Sequence, residues 1–276
     1  MSAQDIPAAM RLKEAAGWNQ TTNDWERVLR LDPEACFVDE RDGRVIGTTS
    51  AVRLGADLGW VGMVLVLPRM RRRGIARGLL QHALSGCSTS PGSPRIWGLD
   101  ATDMARPLYE QSGFQVQEVI ERWQRPAEVA SAVDCPDQPE RGHWPGAMQA
   151  IDRGAYGCDR SALLLDLWRD PTVEAVTDRS GFAFGRPGSS AWFLGPCVGL
   201  EPRPMEAMVR GLLSRHGHQR IFWDLLASCT TAREMARRNG FRPVRRLTRM
   251  LLAKDPARRC PSDADLVFAA PGFEFA

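Results

Sequence analysis

A chain of 276 residues is long enough for one large core or for two domains of roughly 100 to 150 residues each. With 43% apolar and 25% charged residues it reads as a globular protein, and a formal net charge of +3 is too small to mark a nucleic-acid protein. No apolar run is long enough to span a bilayer and the first residues lack the apolar centre of a signal peptide, so no membrane partner is expected and the cytoplasm is the expected compartment.

Residues 6 to 16 read as a helix that stops at Gly17, and 22 to 31 as a second, capped near Thr22 or Asn23 with Pro33 beyond it. Trp18, Asn19 and Gln20 fall in the loop between. The period then changes to two, which predicts strands at 35 to 39 and 44 to 52 around the turn Glu40, Arg41, Asp42, Gly43, and a longer strand from 58 to 67. After Gly74, apolar residues at Ile75, Leu79, Leu80, Ala83 and Leu84 mark a helix with one covered side. A Ser/Gly/Pro loop from 85 to 94 leads to a strand at 95 to 99, a helix at 104 to 111 and two short strands near 114 to 116 and 119 to 124.

Pro126, Pro136, Pro139 and Pro145 punctuate a stretch with little periodicity, read as a linker over 127 to 147. Beyond it come helices at 161 to 167, 204 to 215 and 232 to 239, and strands at 181 to 185, 190 to 194, 219 to 226 and 247 to 253. Gln111, Ser112, Gly113, Phe114 is echoed by Arg238, Asn239, Gly240, Phe241, each closing a helix that follows a strand. The expected architecture is layered α/β (α+β): two related domains, 1 to 126 and 148 to 276, each a mixed central sheet flanked by helices, the second divergent.

The densest chemical signal lies between Val61 and Leu80. An apolar strand breaks at Pro68, which has no N–H for a ladder, and a helix starts after Arg71, Arg72, Arg73, Gly74, Ile75 and Ala76. Unpaired N–H groups and the positive end of the helix dipole make that turn an anion cradle. Downstream, Tyr109 precedes Gly113 and Phe114 in a short helix, and Asp100 follows the strand ending at Leu99, where α/β strands often face a cleft.

These segments resemble the GNAT superfamily of acyl-CoA N-acyltransferases. The signature Arg/Gln-x-x-Gly-x-Gly/Ala after a Val-x-Pro step appears as Val66, Leu67, Pro68 and then Arg71 to Ala76. A tyrosine shortly before Gly-Phe appears as Tyr109, Gly113 and Phe114. Over its length the chain is similar to the tandem YitH acetyltransferases.

The resemblance implies acetyl-CoA as cosubstrate, no metal, and transfer to a primary amine of a small acceptor by direct attack through a tetrahedral intermediate. Backbone N–H groups from Arg71, Arg72, Arg73, Gly74, Ile75 and Ala76 would hold the coenzyme A pyrophosphate. Val64, Leu65 and Val66 would run beside the pantetheine arm and offer a donor to the thioester carbonyl, on which negative charge grows during attack. Tyr109 is the expected general acid for the leaving thiolate, and Trp18 an aromatic wall of the acceptor site. Asp100 is expected to bind the amine or relay its proton, or else to cap a turn with Thr102 and Asp103. Some relatives carry a glutamate early in the strand before the cradle; this chain has Gly59, Trp60, Val61 and Gly62 there.

The second half departs from the pattern. Gly195, Pro196, Cys197, Val198 and Gly199 follow its strand without the signature, and Ala236 stands where Tyr109 does. One active centre in two related domains is therefore expected, with Cys197 a buried structural thiol and Asp224 posing the same question as Asp100. Seven cysteines without a CxxC pair and four scattered histidines give neither a complete disulfide framework nor a zinc pattern. A non-catalytic coenzyme A binding scaffold and a protein lysine acetyltransferase are the alternative functions, and a monomer or homodimer the expected assembly.

Overall fold

The computed structural model describes residues 1–88, 94–127, 146–253, 255 and 257–275. Most of the expected linker, with Pro136, Pro139 and Pro145, and most of the loop before the strand at 95 lie outside the described residues.

The first helices form where capping chemistry directs them. Helix α1 (Ile6–Ala16) carries Pro7 in its first turn and ends at Gly17, whose φ of 67° is costly for any residue with a Cβ. Helix α2 (Thr22–Leu31) opens with a capping box in which the Thr21 N–H donates to Asp24 Oδ2 at 2.8 Å. Strands β1 (Cys36–Arg41) and β2 (Arg44–Arg53) form a hairpin turned by Asp42 and Gly43, both at positive φ. Strand β3 (Leu58–Val66) leads into the cradle turn, and helix α3 (Ile75–Ser88) buries Ile75, Leu79, Leu80 and Ala83 against the sheet. Strand β4 (Ile96–Ala101) and the short helix α4 (Arg106–Gln111) follow.

Two short strands were expected next, and the structure corrects this to one long strand, β5 (Gln115–Arg125). Beyond the linker, helix α5 (Gly146–Tyr156) buries Met148, Ile151, Ala155 and Tyr156 at helical spacing. The second half continues with α6 (Ser161–Arg169), β6 (Glu174–Asp178), β7 (Gly181–Arg186), β8 (Trp192–Gly199) and α7 (Pro202–His216). It closes with β9 (Ile221–Leu226), α8 (Thr230–Arg238), β10 (Arg242–Ala253) and β11 (Val267–Ala269).

All strands join one mixed sheet in the order β1-β2-β3-β4-β10-β5-β9-β8-β7-β6, with β11 beside β8. The two halves exchange their long strands. β10, from the second half, lies between β4 and β5, while β5, from the first, pairs with β9.

A buried ion pair holds each exchanged strand. Arg249 of β10 stands opposite Asp100 of β4 and donates Nε to Oδ1 and Nη2 to Oδ2, both at 2.9 Å. Arg122 of β5 stands opposite Asp224 of β9 and makes the same two bonds at 2.8 and 2.7 Å. Both pairs are shut away from water, so the planar fork-to-carboxylate fit repays desolvation only in this register. Further contact joins the halves at the first loop, where Asn19 Oδ1 accepts from the N–H groups of Ser190 and Ala191 at 3.0 Å.

Candidate functional site

The site begins where β3 and β4 part. They pair in parallel only from Leu58 to Trp60 against Ile96 to Gly98, so from Val61 onward β3 has no ladder partner on that side among the described residues. A β-bulge sits at the parting point. Ser50 faces Gly62 and Thr48 faces Leu65, which leaves Met63 and Val64 together opposite Thr49. Met63 adopts a φ of 52°, and the Thr48 hydroxyl fixes the bulge by donating to the Met63 carbonyl at 2.7 Å. The expected pantetheine segment, Val64 to Val66, is therefore a bulged edge facing a cleft.

Downstream, Arg72 and Gly74 take positive φ angles of 61° and 78° and swing the chain into α3. The Arg71 N–H donates to the Pro68 carbonyl, and the first amide bond into α3 runs from Gly78 to the Gly74 carbonyl. The N–H groups of residues 72 to 77 thus have no backbone acceptor among the described residues. A Cβ added at Gly74 or Gly78 would meet nothing within 4 Å, so the cradle is open to a ligand that comes close to the backbone. The arginines divide their tasks: Arg71 Nε donates to the Val66 carbonyl at 3.2 Å, whereas Arg73 lines an open groove of about 560 Å³ beside Gly74, Gly78 and His82.

Under the parted strands lies a narrow cavity of about 60 Å³. Trp18, Asp100 and Tyr109, expected from the sequence, all line it, with Val64 of the bulge. Tyr109 is buried on α4, and that burial pushes its phenol well above the ordinary tyrosine value, so it holds its proton. Arg77 ties α3 to α4 through Gln111 Oε1. The Asp100 side chain is wholly buried and both its oxygens are taken by Arg249; burial pushes its carboxyl up, against the pull of that guanidinium.

Sequence reasoning missed Gln20, Arg122, Arg245, Leu247 and Phe273, which also line the cavity. Arg122, Arg245 and Leu247 arrive through the strand exchange, and Phe273 through the end of the chain. Arg122 lies over the Phe273 ring at 4.3 Å, and Asp224 holds it charged although burial opposes the charge. Trp60 Nε1 donates to the Phe273 carbonyl at 3.1 Å, and a Cβ at Gly62 would come within 2.9 Å of the Glu274 carbonyl. The stretch where some relatives carry a glutamate is thus where Phe273 and Glu274 pack.

In the second half the corresponding parting of strands is filled. β8 and β9 pair only from Trp192 to Leu194 against Ile221 to Trp223, and β11 then pairs with β8 at Cys197 and Val198. The Ala270 N–H donates to the Asp224 carbonyl, and Trp223 Nε1 to the Phe268 carbonyl, so the inserted segment is bound to both strands. Cys197 is buried there and burial raises its thiol, which leaves no thiolate at neutral pH. Phe241 N–H bonds to the Ala236 carbonyl as Phe114 N–H does to Tyr109, which aligns Ala236 with Tyr109. Among the described residues no cluster of three or more His, Cys, Asp or Glu could hold a metal ion, and no helix is long and apolar enough to cross a membrane.

A bulged strand parting from its neighbour, an anion cradle at the next helix and a duplicated topology define the class: an acyl-CoA transferase fold in two halves. Residues 7–114 match the model of the acetyltransferase (GNAT) family and residues 148–268 that of an acetyltransferase (GNAT) domain, and the chain belongs to the GNAT acetyltransferases as a tandem of two such domains. A candidate acetyltransferase from Pyrococcus horikoshii has 18% identity and a TM-score of 0.82 over 100% of this chain and 94% of its own. A GCN5-related N-acetyltransferase from Sphaerobacter thermophilus gives 19% and 0.64 over 95% and 96%. A tandem GNAT protein from the clavulanic acid biosynthesis pathway gives 14% and 0.55 over 94% and 98%. At these identities the likeness is one of fold. No curated protein matches the chain.

Proposed function

We propose that the chain is an N-acetyltransferase with one active centre, in its N-terminal half, that moves acetyl from acetyl-CoA to a primary amine of a small acceptor by direct attack. The observation that carries this reading is a pair of unpaired backbone stretches joined by one turn. The edge of β3 that is free from Val61 leads, through the bonded turn of residues 67 to 71, to the amides of residues 72 to 77, which have no backbone acceptor among the described residues, with protonated Tyr109 beside the cavity at that edge.

Acetyl-CoA, when bound, supplies an activated acetyl group and a thiolate leaving group. The amides of Arg72, Arg73, Gly74, Ile75 and Ala76 would hold its pyrophosphate, and the bulged edge at Val64 to Val66 its pantetheine arm. Tyr109 keeps the proton that the leaving sulfur needs. Asp100, engaged twice by Arg249, orders β10 under the cavity instead of taking the amine's proton. Loss of water around an amine bound in this narrow cavity favours its uncharged form and supplies the free nucleophile without a carboxylate base. At about 10–15 Å³ per water-sized group, the cavity favours a small acceptor. The C-terminal half would act as a wall of the acceptor site, its own slot being filled by β11.

The test is coenzyme A release from acetyl-CoA across a panel of small primary amines, with Tyr109→Phe as control. Amine-dependent release that the variant loses is the expected result. Tight acetyl-CoA binding with no transfer to any amine or protein would make the chain a coenzyme A binding scaffold.

A further inference from the structure

The cavity contains a charge that the fold leaves without a partner. The side chain of Arg245 on β10 makes no hydrogen bond and no ion pair among the described residues, although it lines the cavity and the residue is half-buried. Directly opposite it on β5 stands Arg122. Like charges facing each other across a ladder destabilise a sheet, and Arg122 has its own carboxylate in Asp224 whereas Arg245 has none. Burial and the nearby Arg122 charge push the Arg245 guanidinium below its ordinary value, with Asp224 only partly offsetting them.

The fold supplies an internal comparison. By the duplicated register, Arg249 occupies in one half the place of Arg122 in the other, and the residue facing Arg249 is Glu118. That position therefore takes an acid in one copy, and in the copy lining the cavity it has an arginine. A second polar atom is also left over: Gln20 donates Nε2 to Glu274, but its buried Oε1 has no partner and the residue lines the same cavity.

We propose that the acceptor is a small primary amine bearing a carboxylate, an amino acid or short ω-amino acid, whose carboxylate is bound by Arg245 and whose N–H groups are met by Gln20 Oε1. The inference rests on the acetyltransferase reading for the chemistry, though not for the binding. Asp100 and Arg122 cancel against Arg249 and Asp224, which leaves one positive charge on the wall and matches one carboxylate. A guanidinium fork takes a carboxylate through two parallel bonds. An amine without the carboxylate would leave Arg245 half-buried and unpaired, so discrimination follows from the cost of the empty contact.

The experiment uses the full chain and pairs of amines that differ only in the carboxylate: glycine and methylamine, β-alanine and ethylamine, 4-aminobutyrate and propylamine. Two measurements are made on each, calorimetric binding in the presence of coenzyme A and kcat/KM with acetyl-CoA. At least one carboxylated member is expected to exceed its twin by more than about tenfold in both, the ratio of one charge-assisted contact. Arg245→Met should bring that ratio near unity through KM, and Arg245→Lys should restore part of it. Coenzyme A affinity and melting temperature report that the variants fold. Equal treatment of the twins, a preference that survives Arg245→Met, or no binding of any carboxylated amine overturns the inference. Acetyl transfer without carboxylate preference would leave the acetyltransferase reading standing, whereas Arg245-dependent carboxylate binding without transfer to any amine would end that reading and keep the anion site.

Discussion

Tyr109 and Asp100 both border the cavity, yet their surroundings fit them for opposite tasks. Burial holds the Tyr109 proton, and no charged neighbour opposes it. Tyr109→Phe is expected to lower kcat by roughly 10²- to 10⁴-fold, the range of a lost general acid, with acetyl-CoA affinity by calorimetry unchanged. The acid form must be present for turnover and its pKa is raised, so the pH profile of kcat should have no falling limb at or below about pH 10, where an ordinary tyrosine ionises. A limb centred below that value would remove Tyr109 from the role. For Asp100 the expected effect is on folding. Asp100→Asn leaves the wholly buried Arg249 guanidinium without its carboxylate and should cost about 3–5 kcal/mol in urea unfolding. The double change Asp100→Leu with Arg249→Met should recover most of it, whereas an Asp100→Asn protein of normal stability without activity would favour the proton-relay role instead.

Among the elements, the cradle turn depends on Gly74, whose positive φ turns bare amides toward open space. Gly74→Val forces a β-branched side chain into that conformation at about 1–2 kcal/mol. Coenzyme A binding by calorimetry should weaken about tenfold or more, and unchanged affinity would move the anion elsewhere. This turn was legible because its chemistry is local: a proline, a glycine and a helix start lie within a few residues. The periodic helices α1, α2, α3 and α7 and strands β2 and β3 were legible for the same reason. Strand β6 was missed because its polar sequence, Glu174 to Asp178, has no alternation to read at a sheet edge. Strand β11 was missed because three residues are too few to show a period, and the single strand β5 was divided at Gln117 and Glu118. Within the site, Tyr109, Asp100 and Trp18 could be found from motifs, but Arg122 and Arg245 could not. Their positions follow from long-range pairing, on which local sequence is silent.

The whole molecule is one sheet whose central strands are each supplied to the opposite half. Expressed alone, residues 1–127 would lack β10 beside β4 and leave Asp100 buried without Arg249, while residues 146–276 would lack β5 beside β9 and leave Asp224 without Arg122. Each fragment is expected to be insoluble or to lack dispersed amide NMR signals, and co-expression should restore a soluble pair that elutes with the intact chain. A stable, well-dispersed fragment 1–127 would contradict the exchange. The same arrangement bears on how the protein is made. Domains commonly fold as they leave the ribosome, N-terminal part first, but here Leu99 must wait for Met250 before its strand, already beside β3, gains a neighbour on its other edge. Until then β4 and β5 present unpaired edges of the kind that join to other chains, and the long separation of partners slows closure. Synthesis of the second half is therefore a period of exposure for the first, in which a chaperone that shields bare strand edges should raise the yield of native protein.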